Sequence, residues 1–133
     1  MSGKSPSTDS GATSPAAKTQ GDIFGGAKVK RTETLPPRDL SASGREISQS
    51  LVELAPGASA PRHFHPGEEL TYVIQGTWEY DLDGQPPVTV KTGQSHLTPS
   101  GVVHGVRNVG SGTAIGLSTW VAEKGKPLTT LAK

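Results

Sequence analysis

The chain has 133 residues, enough for one domain with a core of ordinary size, and its 17 glycines and 11 prolines favour short strands and tight turns over long helices. The formal net charge of +1 provides no basic field for nucleic acid, and no apolar run is long enough to span a membrane. Without cysteine, the chain forms neither disulfides nor thiolate metal sites.

The N-terminal part of the chain differs in composition from the rest. Residues 1–28 are rich in Ser, Gly, Thr, Ala, Pro and Lys, and Ile23 and Phe24 are their sizeable apolar side chains. A segment with so little to bury cannot offset the entropy of ordering, so we predict a disordered tail. The alternative is that Ile23 and Phe24 dock on the folded domain or on a second subunit. Because the first residues lack the apolar core of a secretory signal, we expect a cytoplasmic protein.

Short strands are predicted to follow in regular succession. Residues 29–45 are charged and interrupted by Pro36 and Pro37, which predicts an extended lead-in or an edge strand. Runs of β-branched and apolar residues then alternate with turn signals, of which Asp83-Gly84 is a strong one. These runs predict strands over residues 46–54, 70–75, 78–82, 88–91, 95–98, 102–109 and 113–121.

The predicted strands define one domain over residues 46–121. Short strands without a convincing helix predict an all-β fold, in which an antiparallel sheet closes on itself or forms a sandwich. Residues 122–133 are predicted to be a C-terminal tail with one strand-like patch at residues 128–131. A small open barrel needs its edge covered, so we expect a homodimer in which residues 29–35 pair with the sheet of a second subunit.

Three of the four histidines lie in two motifs that are bracketed by glycines. The first motif is Gly57-x5-His63-x-His65-x3-Glu69-x6-Gly76. Side chains on an extended strand alternate between faces, so His63 and His65 point the same way and Phe64 points the other way. A Pro-Gly turn follows, and Glu69 then opens a new apolar strand from which its carboxylate can reach the two imidazoles.

The second motif supplies the third histidine, and its sequence is Gly93-x5-Pro99-x-Gly101-x2-His104-x3-Asn108. His104 reaches the first motif only if the two segments are neighbours in a sheet or barrel. Three imidazoles and one carboxylate suit one divalent transition metal, Fe, Mn, Ni, Co, Cu or Zn, and the ligand types alone do not choose among these. The alternative is a metal-free cluster whose histidines bond to one another or to water. Asn108 is expected to hydrogen-bond the backbone, since a neutral amide is a weak ligand for such a metal.

In both motifs the chain resembles the cupins. Ten fixed positions match with the spacing of that family, without a gap or a substitution, and the resemblance covers roughly residues 46–121. It implies a small antiparallel β-barrel of the cupin or jelly-roll type, with a metal in its mouth. Carried over to this sequence, the ligands of one divalent metal are His63, His65, Glu69 and His104. Four protein ligands leave coordination positions open for a small-molecule ligand or substrate.

Aromatic side chains near the motifs are predicted to shape a substrate pocket. They are Phe64, Tyr72, Trp78 and Tyr80, although burial in the core would explain their positions as well. His96 departs from the acidic and apolar residues that many cupins have before the proline of the second motif. A neutral imidazole there can act as a general base or as a donor beside the metal, and we predict His96 as the catalytic residue. The alternative is an ordinary strand histidine.

Three kinds of function fit these features. The leading hypothesis is a metal-dependent enzyme with dioxygenase-type chemistry, which binds an enolate, catecholate or diketonate and activates O2. A non-redox version would use the metal as a Lewis acid for isomerase, lyase or cyclase chemistry. In the remaining alternative, the barrel is a non-catalytic module that binds a small molecule or a metal.

Overall fold

The computed structural model describes residues 18–22 and 28–133. Within these ranges the chain forms strands and no helix. The strands are β1 (Lys18–Asp22), β2 (Val29–Asp39), β3 (Arg45–Leu54), β4 (Ser59–Phe64), β5 (Gly67–Gln75), β6 (Thr77–Leu82), β7 (Val88–Lys91), β8 (Ser95–Thr98), β9 (His104–Asn108), β10 (Ala114–Glu123) and β11 (Thr130–Leu131). Most of the predicted N-terminal tail, including Ile23 and Phe24, lies outside the described residues.

The strands form two antiparallel sheets that face each other as a jelly roll. One sheet has six strands in the order β1-β2-β3-β10-β5-β8, and the other has five in the order β11-β4-β9-β6-β7. None of the described strands belongs to both sheets, so hydrogen bonds do not close the barrel. The prediction of a small all-β fold of jelly-roll type, with antiparallel strands, is confirmed.

Pairing between distant segments brings the two motifs together. Strand β4 carries His63 and pairs with β9, which begins at His104, although four other strands separate them in sequence. This is the neighbour relation that a shared metal would require of the two motifs. On its other side β4 pairs with β11, so the C-terminal segment also lies beside the strand that carries His63.

The core lies between the sheets and follows from strand alternation. Along β10, buried and half-buried residues alternate strictly, and Trp120 is on the buried face. Trp120 packs in one cluster with Trp78, Leu54 and Val73. A Cβ at Gly116 would lie 2.7 Å from Cζ2 of Trp78, so only glycine lets this indole pack against β10.

The segment that precedes the barrel forms β2 and is paired on both sides. Pro36 and Pro37 lie where the register between β2 and β3 shifts, as expected where two backbone donors are missing. On the other side, β1 pairs with residues 30–33 of β2. A second subunit could therefore not pair along residues 29–35 without displacing β1. Because β1 of the same chain occupies this edge, the homodimer is not expected to form by strand pairing along residues 29–35. The homodimer itself stays a prediction.

In the part of the chain that the structure describes, no helix is long and apolar enough to cross a lipid bilayer.

Candidate metal centre

The two motifs bring three imidazoles together at the end of β4. His63 and His104 are register partners on β4 and β9, and His65 directly follows β4. The ring centroids are 4.3 Å apart for His63 and His104, 5.0 Å for His63 and His65, and 5.2 Å for His65 and His104. All three residues are buried, and their candidate ligand atoms lie within 4.8 Å of one another. Three imidazole nitrogens grouped in this way can share one metal ion.

Backbone carbonyls fix the orientation of the three imidazoles. Each Nδ1 lies within hydrogen-bond distance of a carbonyl oxygen, which can only accept, so each Nδ1 carries the hydrogen. The Nδ1 of His63 lies 2.6 Å from the carbonyl oxygen of Pro61. The corresponding distances are 2.7 Å from His65 to Leu128 and 2.9 Å from His104 to Val102. In a neutral imidazole of this tautomer, Nε2 holds a lone pair, which is the form that binds a metal.

Glu69 reaches the cluster from the opposite sheet. It is buried on β5, and its Oε1 lies 3.0 Å from His65 Nε2 and 3.7 Å from His104 Nε2. Its other oxygen accepts a 3.2 Å hydrogen bond from Thr71, whose hydroxyl lies 2.8 Å from that of Ser118. Burial alone would raise the pKa of Glu69, but His104 and His65 outweigh it when a proton on Nε2 lets them donate to the carboxylate, and they then hold the pKa well below its usual range. The carboxylate is therefore ionised at neutral pH.

The donor atoms of the cluster fit a cation. His65 Nε2 is a buried polar atom without a hydrogen-bond partner among the described residues. It lies close to Glu69 Oε1 but is not aligned for a hydrogen bond, in agreement with the tautomer that the Leu128 carbonyl imposes. A lone pair that faces a carboxylate oxygen is unfavourable by itself, and a cation between the two atoms would satisfy both. The predicted ligands therefore suit a divalent metal.

Burial also sets the protonation state of His63. Burial is the main cause that lowers the pKa of His63 from 6.5 to about 4. The Pro61 carbonyl and the Glu69 charge oppose this effect, whereas His104 and His65 add to it. Since a metal ligand must be unprotonated, His63 is in its metal-binding form throughout the neutral range.

The four predicted ligands line one small cavity between the sheets. Its free volume is about 30 Å3, enough for roughly two or three water-sized groups. Trp78 and Tyr80, both predicted for the pocket, form part of its wall. The remaining lining residues are Val29, Arg31, Val52, Ala60, Val106, Ser118 and Trp120. The wall is thus mainly apolar and aromatic, as is usual for a small-molecule site.

Phe64 and Tyr72, the other residues predicted for the pocket, lie outside this cavity. Phe64 stands between two inward-facing histidines, so strand alternation turns it away, and it lines a separate surface cavity beside Leu131 and Lys133. Tyr72 is 47% exposed on β5, whereas its neighbours on both sides are buried. Because side chains alternate along each strand, both rings lie on outer faces. Of the four residues predicted for the pocket, Trp78 and Tyr80 line the cavity.

His96, predicted as the catalytic residue, is not on the cavity wall. It is half-buried on β8 and stacks on Tyr80, with ring centroids 4.0 Å apart and an interplanar angle of 17°. Its Nδ1 lies 3.3 Å from the Thr98 hydroxyl. Burial lowers the pKa of His96, with Glu69 opposing and His104 adding to the shift. Because Tyr80 lines the cavity and His96 stacks on it, proton transfer by His96 stays a prediction that needs Tyr80 to move or to mediate.

Three residues that contribute to the site, in two segments of the chain, were missed in the sequence. Arg31 on β2 lines the cavity. Its position could have been predicted, because residues two apart in a strand share a face and Val29, two residues earlier, is buried. Leu128 and Thr129 come from the C-terminal segment, where Leu128 accepts from His65 and the Thr129 hydroxyl lies 3.5 Å from His65 Nδ1. No local pattern could have placed this segment beside the histidines.

Asn108 has the structural role that was predicted for it. Its buried amide donates to the carbonyl oxygens of Leu54, Ala55 and Gly112 at 3.1, 3.3 and 2.7 Å, and it accepts a 2.9 Å hydrogen bond from the Gly110 amide. These bonds connect the end of β9 to β3 and to the turn that leads into β10. Asn108 therefore supports the strand that presents His104 and takes no part in metal binding.

Known proteins resemble this chain in sequence and in fold. The family model described as the cupin domain matches residues 50–120. The chain belongs to the cupin family. The resemblance that the two motifs carry is thereby confirmed, and the family match spans the strands that present all four predicted ligands.

Relatives of this cupin have different names and functions. Protein SchB of Streptomyces halstedii is 45% identical over 77 residues, which are 57% of the cupin and 54% of SchB. The crystal structure of the lyase DddQ from Ruegeria pomeroyi has a TM-score of 0.58 and 26% identity, over 65% of this chain and 43% of that one. An oxalate oxidase in complex with glycolate has a TM-score of 0.63 and 22% identity over 80% of this chain and 56% of that one, which shows a shared fold. The cupin spans about half the length, or less, of the curated relatives that it matches.

Proposed function

We propose that this cupin is a metal-dependent enzyme that oxidises a small molecule with O2, in the manner of a dioxygenase. His63, His65, Glu69 and His104 would hold one divalent metal, and the orientation of their donor atoms supports this assignment. When bound, a redox-active metal such as Fe, Mn, Ni or Cu supplies binding positions for the substrate and the electron transfer that O2 requires.

The observation that carries the proposal is the scarcity of acid and base groups on the cavity wall. Apart from the predicted ligands, the titratable side chains that line the cavity in the described chain are Arg31 and Tyr80. Burial, with a contribution from the Glu69 charge, raises the pKa of Tyr80, and the hydrogen bond with Thr71 opposes this only in part. Tyr80 is therefore a neutral phenol, which can donate a hydrogen bond but cannot take a proton from a substrate. Chemistry that depends on the metal, rather than on a protein base, fits this wall best.

Buried aromatic rings form much of the wall of the small cavity. Trp78 and Trp120 are each 1% exposed, and Tyr80 is 2% exposed. The Trp78 and Tyr80 rings stack with centroids 6.2 Å apart, and the edge of Trp120 meets the His65 ring at 5.7 Å. Electrostatic interactions are stronger where water is excluded, so these rings would strengthen the hold of the cavity's charged groups on a bound substrate.

A lyase is the second candidate, and the similarity to DddQ favours it. DddQ of Ruegeria pomeroyi is a dimethylsulfoniopropionate lyase, and the cupin is 33% identical to it over 61 residues. Lyase chemistry commonly requires a group that takes a proton from the substrate. The predicted group, His96, stacks on Tyr80 instead of lining the cavity. The wall therefore supports oxidation over a lyase reaction.

The proposal is tested by measuring O2 uptake by protein loaded with different metals. Protein freed of metal is loaded separately with Fe(II), Mn(II), Ni(II), Cu(II) or Zn(II), and uptake of O2 is followed in an oxygen electrode. The substrates to be tried are enolisable acids, catechols, diketones and small hydroxy acids. We expect O2 uptake with at least one redox-active metal and none with Zn(II). The His104→Ala variant should be inactive, whereas Phe64→Ala, which alters a side chain outside the cavity, should retain activity.

Other outcomes distinguish the alternatives. Turnover with Zn(II) and without O2 uptake would replace oxidation by a lyase or another Lewis-acid reaction. Tight binding of an unchanged small molecule, without turnover in the presence of any of the metals, would identify a binding module instead.

A further inference from the structure

Arg31 is a half-buried cation on the wall of the metal cavity. It lies on β2, outside both cupin motifs, and lines the cavity together with the predicted ligands. Its Nε is buried and has no hydrogen-bond partner within the described part of the chain. The ion pairs formed by the described residues do not include it. A buried donor that is left without a partner is costly, which indicates that something else satisfies it.

Two neighbours hold the guanidinium next to the metal ligands. Its Cζ lies 4.9 Å from the centre of the Trp120 ring, within cation–π distance, and its Nη2 donates a 3.3 Å hydrogen bond to the Thr129 hydroxyl. The same hydroxyl lies 3.5 Å from Nδ1 of His65. One hydroxyl thus contacts both the guanidinium and a predicted ligand. These contacts preorganise the guanidinium of Arg31, and its Nε–H remains available to donate a hydrogen bond to another group.

The charges of the cavity favour an anion as that partner. Glu69 and Arg31 are the charged residues on the described wall, and their opposite charges cancel. A divalent metal at the predicted ligands then leaves two positive charges in a space that is shielded from water. Burial lowers the pKa of Arg31 and the Glu69 charge raises it, and the guanidinium stays protonated at neutral pH. An anionic ligand would offset this excess positive charge.

We propose that Arg31 binds a carboxylate of the substrate beside the metal, so that the enzyme acts on small carboxylic acids. The inference rests on the proposed function, because it requires a metal at His63, His65, Glu69 and His104. The planar fork of a guanidinium matches the two oxygens of a carboxylate. The cavity is small, which favours a short substrate. A short acid with a second oxygen for the metal meets both conditions.

The test compares a small acid with its neutral amide. Glycolate and glycolamide have nearly the same size and the same hydroxyl group, and only glycolate is charged. Each is titrated into protein loaded with Co(II), whose visible absorption responds to a new ligand in its coordination sphere. The readout is therefore binding at the metal and does not depend on turnover. We expect glycolate to bind wild-type protein at least about tenfold more tightly than glycolamide, since a charge-assisted hydrogen bond contributes about 1.5–3 kcal/mol.

Three variants assign the difference to Arg31. Arg31→Gln should weaken glycolate binding by about tenfold to a hundredfold and leave glycolamide binding unchanged. Arg31→Lys keeps the charge without the fork, so its affinity for glycolate should be intermediate. Lys30→Gln is the matched control, because Lys30 is the adjacent cation on β2 and pairs with Glu53 at 3.6 Å on the exposed side. This variant should bind glycolate like the wild type.

The outcomes separate this inference from the proposed function. If wild-type protein does not bind Co(II), the metal centre itself is overturned, and the inference falls with it. If Co(II) binds but glycolate, oxalate and acetate leave the spectrum unchanged, or if Arg31→Gln binds glycolate with wild-type affinity, only the role of Arg31 is overturned. The Co(II) spectrum and circular dichroism of each variant without added acid show that it is folded and metal-loaded. Should Arg31→Gln fail to fold, Arg31→Lys decides alone, and unchanged affinity for glycolate overturns the proposal.

Discussion

His63 and His104 lie directly opposite each other on β4 and β9, with their rings 4.3 Å apart. Because four strands separate β4 from β9 in sequence, this pair exists only once the five-stranded sheet has assembled. A metal that binds both residues would bind the folded chain and not the unfolded one. Metal binding should therefore stabilise the fold as well as complete the site.

Loss of one imidazole from this pair should release the metal. We expect wild-type protein, purified without chelators or a histidine tag, to contain close to one divalent transition metal per subunit. His104→Ala should weaken metal binding by at least about tenfold, because a ligand and not merely its support is removed. His96→Ala is the matched control, since His96 is a histidine outside the cavity wall. Elemental analysis measures the content, and full occupancy in a His63→Ala/His104→Ala double variant would contradict the ligand assignment.

The metal-free protein should lose stability as the pH falls from about 6.5 to about 4. The pKa of His63 is lowered to about 4 in the folded chain, against 6.5 for an ordinary histidine. Between these values the unfolded chain binds a proton that the folded chain does not, so the free energy of unfolding rises with pH. The difference is at most about 3 kcal/mol. The lowered pKa of Glu69 acts in the same direction, but at pH values below 4.5.

Urea denaturation at pH 4.5 and pH 7 measures this dependence. In His63→Gln the titrating group is absent, so the change in unfolding free energy between the two pH values should be smaller than in the wild type. An equally large change in this variant would assign the dependence to other groups.

Gly116→Ala should destabilise the fold by about 1–3 kcal/mol through overpacking. Its new Cβ would lie 2.7 Å from Cζ2 of Trp78 and 3.0 Å from Cγ2 of Thr71, both fully buried. Gly112→Ala is the control, because a Cβ at Gly112 has no heavy atom within 4 Å, and its effect should stay within about 0.5 kcal/mol. Thermal unfolding of both variants tests this, and equal melting temperatures would show that Trp78 can yield at little cost.

Removal of residues 124–133 should weaken metal binding although all four predicted ligands remain. This deletion takes away the Leu128 carbonyl that fixes His65, together with the pairing of β11 with β4. Loss of a group that orients a ligand typically costs about tenfold to a hundredfold in metal affinity. Competition with a chelator measures the affinity. Thr129→Val, which removes one hydroxyl and keeps the carbonyls, should have a much smaller effect, and an unaltered affinity after the deletion would contradict the role of Leu128.

The fold class and the candidate ligands could be predicted from the sequence because their signals are local. Alternation along β4 and into the residue that follows it places His63 and His65 on one face, and turn residues mark the ends of most strands. The same rule of alternation excludes Phe64 and Tyr72 from the cavity. Phe64 and Tyr72 were predicted to line the pocket because they are close to the ligands in sequence. In a strand, closeness in sequence does not indicate a shared face, because adjacent residues point to opposite sides.

The parts of the site that escaped prediction come from outside the motifs. Arg31 and Thr129 belong to segments whose neighbours are set by long-range pairing of β2 with β3 and of β11 with β4. The spacing of Val29 and Arg31 places both on one face of β2, but nothing in either segment indicates that Arg31 contacts Thr129 or that Thr129 lies beside His65. Strand β1 was missed for a related reason, since residues 18–22 have a polar sequence and become a strand through pairing with β2.

The three carbonyls that hold the imidazoles belong to the main chain, and this has an evolutionary consequence. Exchanging the side chain of Pro61, Val102 or Leu128 does not abolish the acceptor, so ligand orientation tolerates point mutation better than a side-chain support would. The contacts that line the cavity are made by side chains such as Arg31 and Tyr80, and a single substitution removes each of them. If the proposed metal and substrate are correct, single substitutions would change substrate choice more readily than the orientation of the metal ligands.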